Sequence, residues 1–246
     1  MKIKIKDNNI LPIYYQIYQQ LKEYIDNKKI KSGEKLPSER ELEKLLGVSR
    51  VTIRKAIKDL ISNGFCFKKR GKGIFVSKKR IKFEMEAVKG ITNRIKSLGM
   101  EIITEIISKK ILQCNTTFAG YLEVPIKSKI LYLKRLRLIN KEPLIVENTY
   151  LSLDRMPKLE KNDFRDSLYE IIKEKYGFYP NHAKGSIISK LVSEENSKLL
   201  NIPLNFPVIE KKVIVYTKNN IPIEFVKGFY CSNRFEFIYN SFFCDS

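Results

Sequence analysis

A chain of 246 residues with 47 Lys+Arg against 27 Asp+Glu and no apolar run of membrane-spanning length suits one large or two modest soluble domains and excludes a helical membrane protein. Its single histidine, His182, and four scattered cysteines, Cys66, Cys114, Cys231 and Cys244, exclude histidine-cluster chemistry, zinc-type spacing and a disulfide framework, so no metal or cofactor is expected. The net charge of +20 is uneven: residues 1–82 hold 22 Lys+Arg against 8 Asp+Glu, and residues 83–246 hold 25 against 19. A basic front third is the electrostatic footprint of a module that neutralises nucleic-acid phosphates, with a solvated lysine-rich surface as the alternative. The opening "MKIKIKDNNI" lacks the apolar stretch of a secretory signal, which predicts a cytoplasmic protein without membrane partners.

Pro12, followed by Tyr14, Ile17, Leu21, Tyr24 and Ile25 at helical spacing, predicts a helix over about 13–27 that begins at the proline. After a turn-rich connection, Ser38 and Glu41 form a Ser-x-x-Glu capping box ahead of Leu42, Leu45 and Leu46, and Gly47 ends that short helix. Ser49 then caps a third helix whose apolar stripe is Ile53, Ala56, Ile57, Leu60 and Ile61, stopped by Asn63-Gly64. Two short helices across a tight Gly-containing turn have the form of a helix-turn-helix. In that motif the second helix enters the major groove by its N-terminal end, so the groups that read DNA belong in its first turns. Ser49 and Thr52 suit phosphate oxygens, Arg50 or Arg54 the O6 and N7 of guanine, and Val51 a thymine methyl. The plainer alternative is an N-cap followed by solvated charges.

"FCFKKRGKGIFVSKK" reads as two short strands around Gly71-Lys72-Gly73, a cationic loop with Lys68, Lys69 and Arg70 that forms a wing. "SKKRIKFEME" has no regular period and is taken as a linker. The division is therefore a winged helix-turn-helix over 1–77, a linker over 78–86 and a second domain over 87–246.

The second domain mixes strand-like runs ("EIITEIISKKIL", "KILYLKRLRLI", "VIEKKVIVYT") with helices near 91–98, 116–122, 167–176 and 193–200, an α+β class with a largely antiparallel sheet. Residues 122–151 and 200–230 form a near-repeat of Pro, long strand, Asn-bearing turn, Pro and second strand; Pro125 aligns with Pro203 and Pro143 with Pro222. Two similar hairpins are expected to build one sheet. Strand alternation puts Leu131, Leu133, Arg135, Arg137 and Ile139 on one face. Two arginines on an apolar face either meet internal carboxylates, with Glu147 and Glu224 as candidates, or await an anionic ligand.

The segments "LPIYYQIYQQLKEYI", "LPSERELEKLLGVSRVTIRKAIKDL" and "GKGIFV" resemble the winged helix of GntR-family bacterial transcription regulators. The resemblance implies DNA contacts by Arg40, Arg50, Thr52, Arg54 and the wing at Arg70-Gly71, and a homodimer on a palindromic operator. Ser38, Ser49, Lys72 and Gly73 complete the candidate DNA-contacting set. Beyond residue 90, "RLRLINKEPLIVENTYL", "DSLYEIIKEKYG" and "PIEFVKGFY" are similar to the UTRA effector-binding domain of the HutC subfamily, a fold related to chorismate lyases. That likeness implies an effector pocket lined by Arg135, Arg137, Glu147, Ser167, Tyr169, Glu224 and Tyr230, with Thr92 as a further hydroxyl on the phosphate side. Gly90-Ile91-Thr92 stands where members often carry Ser-Phe-Thr, and "CSNRFEF" where they carry an Arg-Gly-Asp-Arg type of strand opening. The function implied is a repressor released from its operator by a small anionic metabolite such as an amino sugar phosphate. A lyase-like enzyme and a ligand-blind architectural DNA binder are the alternatives.

Overall fold

The computed structural model describes residues 5, 10–27, 29–69, 71–78, 80–85 and 88–240. They fall into two compact units, residues 1–80 and 81–246.

In the first unit, α1 (Ile13–Asp26), α2 (Glu39–Leu46) and α3 (Arg50–Ser62) precede an antiparallel ribbon of β1 (Cys66–Lys69) and β2 (Gly73–Val76). Pro12 occupies the N-cap of α1, one residue earlier than its spacing predicted, and accepts from the amides of Tyr15 and Gln16 through its carbonyl. The capping box is formed: Ser38 Oγ accepts from the Glu41 amide and Glu41 Oε2 from the Ser38 amide. Gly47, at φ +65°, turns the chain out of α2 in the left-handed conformation a side chain would disfavour. Ile17, Leu21, Leu42, Ile53, Ala56 and Leu60 are fully buried together. Each of the larger ones stabilises the unit by roughly 1.5–3 kcal/mol.

The second unit is built on one antiparallel sheet in the order β4-β5-β6-β9-β8-β7. Its strands are β4 (Ile102–Gln113), β5 (Lys129–Ile139), β6 (Glu142–Ser152), β7 (His182–Leu191), β8 (Pro207–Tyr216) and β9 (Pro222–Cys231). Between them run α4 (Ile91–Ser97), α5 (Thr116–Leu122), α6 (Leu168–Tyr176) and α7 (Glu194–Leu200). The hairpins β5-β6 and β8-β9, the two near-repeats, meet edge on through β6 and β9. Even their irregularities match, since the register slips between Arg137 and Leu138 opposite Pro143, and between Val215 and Tyr216 opposite Pro222. The repeat also extends upstream, because β4-α5 and β7-α7 occupy equivalent places.

One sheet face carries Ile130, Tyr150 and Phe225 and is covered by Phe118 and Tyr121 of α5, with Phe118 stacked on Tyr150 at 4.1 Å between ring centroids. The other carries Leu131, Leu133, Val213 and Val215 beneath Leu168 and Ile172 of α6. Part of the expected linker is structured. Residues Ile81–Glu84 form β3, parallel to β10 (Phe235–Ile238), with Ile81 and Phe83 buried. Four residues are too few to show a period, and the partner strand lies about 150 positions downstream, so nothing local marked the strand.

Cys66, Cys114 and Cys231 are buried free thiols, and Cys244 lies outside the described residues. Among the described residues no helix is long and apolar enough to cross a membrane.

Candidate functional site

A cross-strand row runs the full width of the sheet: Ile106, Arg135, Glu147, Gly228, Lys211 and Ile187, each the register partner of the next. Over this row, between the sheet, α4 and the start of α6, lies a cavity of about 390 Å³, a size suited to a small metabolite. All eight residues expected in an effector pocket line it: Thr92 of α4, Arg135 and Arg137 of β5, Glu147 of β6, Ser167 and Tyr169 at α6, Glu224 and Tyr230 of β9.

The two arginines have different environments. Arg137 is held on several sides: its Nε donates to Glu147 Oε2 at 2.7 Å, and its Nη1 to Thr104 Oγ1 at 2.6 Å and Thr92 Oγ1 at 3.5 Å. Arg135, 2% exposed, reaches Thr149 Oγ1 at 3.3 Å and Glu147 Oε2 at 3.5 Å through Nη2, while its buried Nε and Nη1 have no hydrogen-bond partner among the described residues. Burial, reinforced by the neighbouring Arg137, pushes the Arg135 pKa down to about 10. It is still a cation at neutral pH, and two unsatisfied donors on a buried cation are costly.

The carboxylates differ in the same way. Burial raises Glu147, but Arg137 and Arg135 more than offset it and hold the carboxyl below its ordinary value. Glu224 accepts a 2.7 Å bond from Tyr169 Oη, and burial wins there, pushing its carboxyl up. The sequence left ion pair and ligand pocket as alternatives for the arginines; Arg137 takes the first and Arg135 keeps donors for the second.

Two glycines shape the walls. A Cβ on Gly90, the N-cap of α4, would lie 3.1 Å from the Tyr169 ring, so the glycine there admits that ring. On Gly228 it would lie 2.7 Å from Tyr230 Cε2. Ser167 caps α6 without a side-chain cap bond, leaving its hydroxyl at the cavity wall.

Sequence reasoning missed Lys211 of β8 and Arg94 of α4, which also line the cavity. Strand parity with Val213 and Val215 was the available signal for Lys211, obscured by the adjacent Lys212.

On the first unit, Ser49 caps α3 by accepting from the Thr52 amide, and the two hydroxyls bond each other at 2.8 Å. One carboxylate oxygen, Glu39 Oε2, accepts from Arg50 Nε at 3.1 Å and from Arg54 Nη2 at 3.3 Å, so the head of α2 holds both arginines of α3. Desolvation opposes the charge on Glu39, but these two guanidiniums outweigh it and keep its pKa low. Val51 is 76% exposed beside them, and Ser38 and Arg40 are exposed on the adjoining turn. In the wing, Gly71 and Gly73 both take positive φ with Lys72 exposed between them. A Cβ on Gly73 would meet Lys35 Cε at 2.6 Å. Arg70 lies outside the described residues. The structure thus groups Ser49 with Thr52 and Arg50 with Arg54 at the start of α3, with the wing as a separate element.

Residues 13–76 match the family model described as bacterial regulatory proteins of the gntR family, and residues 97–236 match the UTRA domain. The chain is 30% identical over 238 residues to the HTH-type transcriptional repressor NagR of Bacillus subtilis (strain 168), covering 96% of this chain and 98% of that one. Identity to the mannosyl-D-glycerate transport/metabolism system repressor MngR of Escherichia coli (strain K12) is 24% over 226 residues, 92% and 94% of the two chains. The crystal structure of PhnF from Mycobacterium smegmatis superposes with a TM-score of 0.68 at 22% identity, over 92% of this chain and 99% of that one.

Proposed function

The chain belongs to the gntR family of bacterial regulatory proteins, with a UTRA domain as its second part, and is a ligand-responsive DNA-binding transcription regulator rather than an enzyme; from this we propose that it is a homodimeric cytoplasmic repressor released from a palindromic operator by an anionic sugar derivative, an amino sugar phosphate in the first instance. The observation that carries the reading is Arg135. A buried guanidinium with Nε and Nη1 unpartnered over a cavity of about 390 Å³ is matched by a phosphate, whose oxygens accept from both at once. Thr92 and Ser167 add hydroxyls to the cavity wall, and Glu224 offers an acceptor to a sugar hydroxyl or amine. A relative named for mannosyl-D-glycerate supports a sugar-derived ligand.

On the DNA side, Arg50 and Arg54 suit guanine edges, Thr52, Ser49, Ser38 and Arg40 suit phosphates, and the wing at Gly71-Lys72-Gly73 follows the backbone. Coupling is linkage: a ligand that binds the DNA-incompetent arrangement more tightly lowers operator affinity by the factor through which DNA lowers ligand affinity. Thermal-shift measurement with glucosamine 6-phosphate tests the site. Stabilisation of the wild type, lost in Arg135→Met, is expected, and a shift that survives in Arg135→Met places the ligand elsewhere.

A further inference from the structure

We propose that the cavity recognises a second anionic group on its ligand through Lys211, across Gly228 and Glu147 from Arg135, which moves the ligand class from an amino sugar phosphate to a phosphorylated sugar acid or a similar compound with anions at both ends. This rests on Arg135 as the phosphate end.

The register supports it. Arg135 and Lys211 share one cross-strand row but stand on β5 and β8, three strand spacings or about 14 Å apart at the backbone. Both line the cavity, and of the two row residues between them Glu147 is engaged by Arg137 while Gly228 has no side chain and leaves its place to the Tyr230 ring. That separation leaves room for the two cationic heads to hold separate anionic groups of one ligand.

The charges point the same way. Glu147 is taken by Arg137 and approached by Arg135, and Glu224 is taken by Tyr169. Among the described residues Lys211 makes no ion pair or hydrogen bond, and its only close partner is the Phe237 ring, 6.0 Å from Nζ. Burial and the like charge of Arg94 disfavour its ammonium form and outweigh the through-space attraction of Glu147 and Glu224. An ammonium with three donors that lines a cavity and is bonded to no carboxylate among the described residues is satisfied by an anionic ligand group. Arg94, Arg135, Arg137 and Lys211 outnumber Glu147 and Glu224 by two at the cavity wall, and Lys89 and Lys184 add to the excess. A phosphate at Arg135 leaves positive charge over at the Lys211 flank.

The test is calorimetric titration of the full chain with glucitol 6-phosphate and 6-phosphogluconate, open-chain six-carbon phosphates that differ at the far end by hydroxyl against carboxylate. The wild type is expected to bind 6-phosphogluconate about tenfold more tightly, the scale of one charge-assisted hydrogen bond. Lys211→Met should remove that preference, and Arg135→Met should lose both ligands. Equal wild-type affinities, or a preference that persists in Lys211→Met, overturn the Lys211 assignment alone. Failure of the wild type to bind either compound overturns it together with the sugar-phosphate reading.

Discussion

Arg137 and Glu147 form a buried ion pair across β5 and β6, closed by a 2.7 Å bond from Nε to Oε2, while Arg135, two residues earlier on β5, approaches the same oxygen only at 3.5 Å. The pair holds the sheet, and the neighbouring arginine keeps its remaining donors toward the cavity. Truncating one partner of a buried pair strands the other, so Arg137→Met should cost about 3–5 kcal/mol in urea unfolding. Arg135→Met removes a poorly satisfied buried cation and should stay within about 1 kcal/mol of wild type. Equal losses in the two variants would contradict this division of labour.

Glu224 supplies a pH signature. Burial raises its folded pKa above the ordinary value of 4.5, so its stability contribution is fully present below that value and lost as pH rises through the folded pKa. At pH 7, above the ordinary value, this buried carboxyl is therefore a burden on the fold. Glu224→Gln keeps an acceptor for Tyr169 Oη and removes the titrating group, which should raise Tm at pH 7 by about 2–4 °C. Scanning calorimetry from pH 7 down to about 4 should show the gain shrinking toward zero as the wild-type carboxyl protonates.

Glu39 holds Arg50 and Arg54, the arginines proposed to read the operator. Removing its charge with Glu39→Gln should strengthen binding to random duplex, because one repulsive charge is lost, and loosen both arginines. The ratio of operator to random-duplex affinity, read by fluorescence anisotropy, should fall about tenfold. An unchanged ratio would show that the arginines find their targets without the carboxylate.

Arg54 and Lys72 should separate base reading from backbone contact. Arg54→Ala is expected to erase the preference for operator over random duplex, a loss of about 1–3 kcal/mol of discrimination. Lys72→Ala should weaken binding to both by a similar factor and reduce the slope of log K against log salt by about one. Equal loss of operator and random-duplex binding in Arg54→Ala would contradict its base-reading role.

The first unit was legible because caps and stripes are local: Ser38, Glu41, Gly47 and Ser49 mark helix ends within four residues of what they bond. In the second unit the hairpin repeat was legible, and the structure shows what it conceals. At equivalent points of the two hairpins, Arg135 and Glu147 are replaced by Val213 and Val226, Arg137 by Val215, and Ile145 by Glu224. The scaffold is doubled and the chemistry is not, so the polar members of one hairpin stand out against the apolar members of the other. Strand β7 escaped notice because it is an edge, exposed along almost its whole length, and "HAKGSIISKL" carries no one-sided alternation. Parity alone placed both arginines on one face, yet their different partners depended on Thr92, Thr104 and Thr149, contributed by three other elements.

The most direct test of the account is operator release. A duplex selected by the protein from a random pool would be held at half-saturation and titrated with glucosamine 6-phosphate and 6-phosphogluconate, with anisotropy as the readout. The account predicts a saturable, several-fold fall in operator affinity for the wild type and none for Arg135→Met. Operator affinity that stays constant while either compound demonstrably fills the cavity would contradict it.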